Sequence, residues 1–185
     1  MRVSSNVGRV RAATRGQQLA MTDEAISRIR AYLEQRTTLS LATSGPSGVW
    51  AASVFFASDE HLSLYFVSDP ETRHCQDLTS NPDVVVTINQ DVKDWAAIQG
   101  LQIKGRAGAV EDGSRPAVQE LFLTKFPGVR ALFDAPKSAD EQQVANRLGD
   151  SRFYRIVPIW IRFIDNSRGF GFREEVSFGE EKNEA

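Results

Sequence analysis

Cysteine is all but missing from this chain. Cys75 is the only one in 185 residues, so no intrachain disulfide can staple the fold, which fits a reducing, cytoplasmic setting. Histidine is nearly as scarce: His61 and His74 are the only two, no Cys/His spacing matches zinc, and no metal site is expected. No apolar run has the length to cross a membrane. An excess of charge is lacking too. The 22 basic and 24 acidic side chains leave a net charge of −2, so bulk charge implies no nucleic-acid partner. There is no nucleophile elbow, paired-acid motif or Walker loop. The glycines from Gly100 to Gly108 lack the dinucleotide spacing and open no helix. The residues alone therefore identify no catalytic side chain. If the chain is an enzyme, a bound cofactor carries the organic chemistry.

The length suits one domain with a sizeable core. Residues 1–20 hold Arg2, Arg9, Arg11 and Arg15, no acid and no continuous apolar segment. They read as a disordered tail rather than a secretory signal, with Met21 an alternative start. Residues 21–178 form the expected domain, and the acidic residues 179–185 a frayed end.

Thr22 reads as the cap of a first helix ending near Arg36, with Ile26, Ile29 and Leu33 on one face. Strands over Thr38–Thr43, Val49–Ala57 and Leu62–Ser68, joined by short turns, read as an antiparallel meander. Further strands follow at Val84–Asn89 and at Ile98–Glu111, whose glycines mark bends or close backbone approach. A helix is expected over Arg115–Lys125, a short helical piece over Val129–Phe133, and a polar surface segment or lid over Lys137–Gly149. Phe153–Ile164 is apolar on both faces, so one face needs a cover from a helix or a second subunit, and Pro158 marks a bulge or an edge. A last strand is expected over Ser167–Phe178, with Phe170 and Phe172 either lining a pocket or packing the core.

The stretch Leu62–Pro82, LSLYFVSDPETRHCQDLTSNP, is the most informative. Leu62, Leu64 and Phe66 share one strand face. Asp69-Pro70 reads as a helix start. Thr72, Arg73 and His74 then bring a hydroxyl, a guanidinium and an imidazole to a helix N-terminus, where free N–H groups and the dipole favour an anion. Asp69 and Thr72 as plain caps, with Arg73 in solvent, is the competing reading, and Glu71 favours it. Cys75 beside His74 reads either as a low-pKa thiol or as an inert helix residue.

The order strand, Ser68, Thr72-Arg73-His74, Leu78, Asn81-Pro82 resembles the flavin-phosphate segment of the pyridoxamine 5'-phosphate oxidase-like split-barrel flavoproteins. The resemblance runs from about Thr22 to Phe178. It is nearest to a short branch of that family, through Phe170-Gly171-Phe172 after Asp165-Asn166. It implies a β-rich α+β fold: a six- to seven-stranded antiparallel split β-barrel with flanking helices.

The resemblance also implies a homodimer with FMN in each of two interface clefts and a small-molecule substrate. Thr72, Arg73 and His74 would hold the phosphate. Ser53, Val54, Val67 and Ser68 would meet the ring and ribityl chain, and Gln99 and Trp160 would come from the partner. Gln99, like Gln102, reads equally as an exposed strand residue. Phe56 stands where the family's oxidases carry a lysine, and the chain lacks their basic, aromatic C-terminal signature. The activity implied is an FMN-dependent oxidoreductase of open substrate. A haem-binding split-barrel dimer, or one without any cofactor, is the alternative.

Overall fold

The computed structural model describes residues 15–178, with backbone alone for 15–21 and 133. Its first helix, α1 (Arg15–Gln35), starts well before Thr22. Gln17, Gln18, Leu19 and Ala20 are good helix formers and carry the helix backwards, so residues 15–20 are not a coil. The rest of the expected tail, 1–14, and the end at 179–185 lie outside the described residues. Among the described residues no helix is long and apolar enough to cross a membrane.

One curled antiparallel sheet organises the chain. Its strands are β1 (Thr38–Gly45), β2 (Gly48–Phe55), β3 (Ala57–Ser58), β4 (Leu64–Ser68), β5 (Asp83–Asn89), β6 (Gln99–Ala109), β7 (Arg152–Asp165) and β8 (Arg173–Ser177). They run in the order β2-β1-β5-β6-β7-β4-β3, with β8 also on β7. Seven strands have five or more residues and β3 has two, which makes the fold the expected split barrel. The inner face holds Leu39, Leu41, Phe66, Val86, Ile103 and Ile161, closed on one side by Ile29, Tyr32 and Leu33 of α1.

The meander is not what forms. β2 pairs with β1 alone, and β4 pairs with β7 and β3. The break is at Phe56, whose side chain is fully buried and whose N–H donates to Thr37 O at 3.0 Å. Burying that ring turns the chain off the β1 edge and carries it to the far end of the sheet. The strand then begins late, at Leu64, because Leu62 is held in the left-handed region (φ 65°). Asp59 Oδ1 pins that turn by accepting the His61 and Ser63 N–H groups at 2.9 and 2.8 Å.

The bend in β6 is present. Its register with β7 shifts between Lys104 and Gly105, opposite Trp160 and Pro158. Proline cannot donate to the ladder, and a Cβ on Gly105 would lie 2.6 Å from Val157 O, so only glycine allows that approach. Three helices, α3 (Arg115–Lys125), α4 (Pro127–Asp134) and α5 (Ala139–Asp150), link β6 to β7; α2 (Arg73–Ser80) lies between β4 and β5. After β7, residues Asn166–Arg168 form a 3-10 turn and β8 waits until Arg173. Phe170 is consequently 85% exposed, edge-on to Trp95 at 5.7 Å, and lines no interior pocket.

Candidate functional site

The sheet does not close. Among the described residues β2 has no strand on its outer edge, and β4 approaches it across the opening without ladder hydrogen bonds between them. Unpaired strand edges leave backbone N–H and C=O groups free to bind something else. Ser53 and Val54 stand on one side of this opening and Val67 and Ser68 on the other. Ser53 is exposed, whereas Val54 packs on the core.

The α2 N-terminus closes one end of the opening. The helix starts at Arg73 rather than at Pro70. Asp69 Oδ1 accepts Glu71 N–H at 2.8 Å, and Asp69 O accepts both Thr72 N–H at 3.0 Å and Thr72 Oγ1 at 2.7 Å. Residues 69–72 are thereby a tight turn, and Thr72 is an N-cap whose hydroxyl makes no cap bond. Arg73, His74 and Cys75 become the first three helical residues, whose N–H groups have no intrahelical acceptor.

Arg73 does not reach into open solvent. Its Nη2 donates to Ser47 O at 2.8 Å and Val49 O at 3.4 Å, both in or just after the β1–β2 turn. Its guanidinium carbon lies 4.7 Å from the Trp50 ring centroid, within cation–π range. Its Nε is buried and has no hydrogen-bond partner among the described residues. Arg30 and Arg36 also have partnerless Nε groups, with Nη2 bonded to Glu60 O and Gln90 Oε1; of the three, only Arg73 stands at a helix N-terminus.

His74 stands behind the hydroxyls rather than beside them. It is 7% exposed, and its Nε2 lies 2.8 Å from Ser68 Oγ and 3.2 Å from Thr72 Oγ1. The two hydroxyls are themselves 3.2 Å apart. The ring orients Ser68, its tautomer deciding whether that hydroxyl donates or accepts, while Thr72 Oγ1 has its proton on Asp69 O and can only accept from His74 or Ser68. Cys75 belongs to the same group. Burial pushes its thiol up, but hydrogen bonding with His74, Thr72, Tyr154 and Ser68 outweighs burial and holds it below the ordinary thiol value. Burial first, and then Cys75, pushes the Tyr154 phenol well up. That ring stacks on Phe66 at 5.1 Å, so the polar group rests on an aromatic floor.

The other two expected site residues lie apart from this cluster. Gln99 is at the start of β6, where its Nε2 donates to Asp165 Oδ1 at 3.0 Å. Trp160 is in mid-β7 with Arg162 and Lys104 over its ring at 4.9 and 5.7 Å. The registers align Ala51, Ala42, Val85, Lys104, Trp160 and Ser177 in one row across the outer sheet face. Val85 is 49% exposed there and Phe55, at the end of β2, 54%. Ser53 and Trp160 thus share a face without touching.

Phe56 has a cation after all. Lys125 Nζ sits 4.1 Å above its ring and donates to Leu33 O at 2.9 Å. That ammonium caps the end of α1 and is committed there. Sequence reasoning missed Trp50, Thr43 and Asp77, which frame the Arg73 end. An exposed tryptophan beside a Gly-Pro turn was the available sign for Trp50; none marked the other two.

The profile of the family described as Pyridoxamine 5'-phosphate oxidase matches residues 25–165. The UPF0306 protein YhbP of Salmonella paratyphi C is 26% identical over 155 residues, covering 80% of this chain and 90% of that protein. A Listeria innocua structure, provisionally named a pyridoxamine 5'-phosphate oxidase, is 25% identical with a TM-score of 0.57 and covers 76% of this chain and 98% of its own. A haem-binding protein from Mycobacterium smegmatis shares the fold at 15% identity and a TM-score of 0.63, over 83% of this chain and 57% of its own.

Proposed function

The chain belongs to the pyridoxamine 5'-phosphate oxidase family, and on that premise we propose that it binds FMN in the opening between β2 and β4. The observation that carries the reading is the Arg73 Nε–H, buried and without a partner at the α2 N-terminus. A buried donor left unbonded is costly, and a phosphate is the acceptor that such a helix end favours. Arg73 and the first N–H groups of α2 would hold the phosphate, and the Thr72 hydroxyl would have to give up Asp69 O to donate to it. Ser68 would add its hydroxyl, with His74 fixing its orientation. The unpaired edges at Ser53–Val54 and Val67–Ser68 would meet the polar atoms of the ring and ribityl chain.

Bound there, FMN supplies electron-transfer chemistry that no side chain of this protein can provide. The protein's part is to bind, orient and keep water from the ring, in an oxidoreductase acting on a small molecule. Shielding calls for a second subunit. The outer-face row of Ala51, Ala42 and Val85 is small and apolar, and a two-fold partner would bring its Trp160 and Gln99 toward the opening. Gln99 would have to give up Asp165 to reach a ligand.

The haem reading draws on neighbours that share the fold at low identity, the Mycobacterium smegmatis haem-binding protein and a haem storage protein from Vibrio cholerae (20% identity, TM-score 0.51). His61 is largely exposed beside Glu60, and the His74 Nε2 is engaged by two hydroxyls, so neither imidazole favours it.

Titration of the apo-protein with FMN, read by flavin fluorescence, tests the proposal. Charge-assisted phosphate contacts contribute about 1.5–3 kcal/mol, so Arg73→Ala is expected to weaken binding at least ~10-fold. An unchanged Kd for that variant would reject Arg73 as the anchor.

A further inference from the structure

We propose that Trp50 and Asp77 are positioning residues that clamp Arg73 before any ligand arrives and leave its Nε–H edge free for a phosphoryl headgroup. The proposal rests on the phosphate-bearing ligand read above and adds how the protein sets its affinity for that group.

The clamp has two layers. In front, the indole of Trp50 supports one face of the guanidinium at 4.7 Å, and the Ser47 and Val49 carbonyls hold Nη2. With Nη2 used, Nε–H and Nη1 remain to meet an anion. Trp50 is 44% exposed, more than packing alone would leave a tryptophan.

Behind, Asp77 lies one helical turn after Arg73 on the same face of α2. It is 4% exposed, and its Oδ2 accepts the hydroxyl of Thr43, itself 3% exposed, at 2.8 Å. Its other oxygen fills the space above Gly45, where a Cβ would stand 2.1 Å from it. Both contacts fall on the last residues of β1, from which the β1–β2 turn springs. The turn itself is set by Gly48 at φ 89°. Among the described residues no ion pair joins Asp77 to Arg73. The carboxylate instead ties the helix that carries Arg73 to the turn that holds it.

A free arginine loses several rotatable bonds' freedom on meeting a ligand, whereas a clamped one has already lost it. The clamp therefore raises affinity for the headgroup without touching it.

Binding of FMN, of riboflavin (the same ring without phosphate) and of inorganic phosphate is measured for the wild type, Trp50→Phe, Trp50→Leu, Thr43→Val, Asp77→Asn, Arg73→Ala and the Arg73→Ala/Trp50→Leu pair. Trp50→Leu and Thr43→Val are expected to weaken FMN several-fold and leave riboflavin unchanged. Trp50→Phe, which keeps a ring under the guanidinium, restores most of the loss. With Arg73 already removed, Trp50→Leu has no further effect. Equal losses for both flavins, or effects additive with Arg73→Ala, would make these residues merely structural and overturn the proposal. Should Asp77→Asn fail to fold, Thr43→Val breaks the same link from the other side.

If the wild type takes up neither flavin, the cofactor reading fails and the clamp is judged on phosphate alone. The Arg73 15Nε–1Hε resonance should then be protected in the free protein, shift on adding phosphate, and lose its protection in Trp50→Leu. A resonance indifferent to both phosphate and Trp50 overturns it.

Discussion

Two polar clusters lie at opposite ends of the half-barrel, and they differ in what they leave unsatisfied. At the β7 C-terminus, Asp165 is 6% exposed and accepts from Gln99 Nε2, Ser167 N and Ser167 Oγ at 3.0, 3.1 and 2.6 Å. Every contact is met from within the chain, and the result is a closed corner joining β6, β7 and the following turn. At the β7 N-terminus, beside Ser68 and α2, neither the Arg73 Nε–H nor the facing strand edges have a partner among the described residues. Buried polar groups that satisfy one another build a fold; a group held in place and left over points to a ligand. The resemblance implies that Gln99 meets the flavin of a partner subunit, with an exposed strand residue as the equal alternative; within one protomer its amide belongs to the closed corner.

The comparison breaks most visibly if the floor of the open end is removed. Phe66 is fully buried beneath Tyr154, and Phe66→Ala is expected to cost about 3–5 kcal/mol, read by chemical denaturation. Should it cost under ~1 kcal/mol, the open end would not rest on the core as described.

At the closed end, Asp165→Ala strands the Gln99 amide and the Ser167 N–H, and a loss of about 1–3 kcal/mol is expected. The same carboxyl has a pH signature. Burial pushes its pKa up, but the bonds from Ser167 and Gln99 outweigh burial and leave it below its ordinary value of 3.8. A carboxyl with a depressed folded pKa contributes stability above its unfolded pKa and loses it as pH falls through the folded one. Wild type should thus lose stability below about pH 4 more steeply than Asp165→Asn; matching acid limbs would show that the corner is not held by charge.

The smallest effect concerns Lys125. Burial lowers its pKa from 10.5 to about 8, with Glu34 opposing. Between those values the unfolded chain binds a proton that the folded protein has released, so stability rises with pH across that window. Lys125→Met should flatten the rise in melting temperature between pH 8 and 10, and an unaltered slope would locate the titrating group elsewhere.

Much of the open end was legible beforehand because its signals are local. A strand with period-two apolar residues, a turn and a helix start put Ser68, Thr72 and Arg73 close together whatever the rest of the chain does. Two details were misjudged locally: Asp69 spends its carboxylate on a turn instead of on a cap, and α1 extends back to Arg15. Larger errors came from distance. The meander failed at Phe56 because a short connection favours pairing with the neighbour, and only the gain from burying that ring in a core assembled elsewhere overrides it. Trp50, Thr43 and Asp77 went unread because their meaning arises from a contact between a turn and a helix some thirty residues on.

The sequence by itself determined most of the elements (though not that Ala139–Asp150 is a helix), the strand character of both sides of the opening, and the chemistry of the helix end facing it. Those follow from residue periodicity, turn chemistry and the orphan N–H groups of any helix start. The tertiary structure alone decided which strand edges stay unpaired, that His74 lies behind the hydroxyls, and that Arg73 is gripped on one side and free on the other. Hydrogen bonds are made with whatever the whole fold brings within about 3 Å, and no stretch of sequence specifies that company.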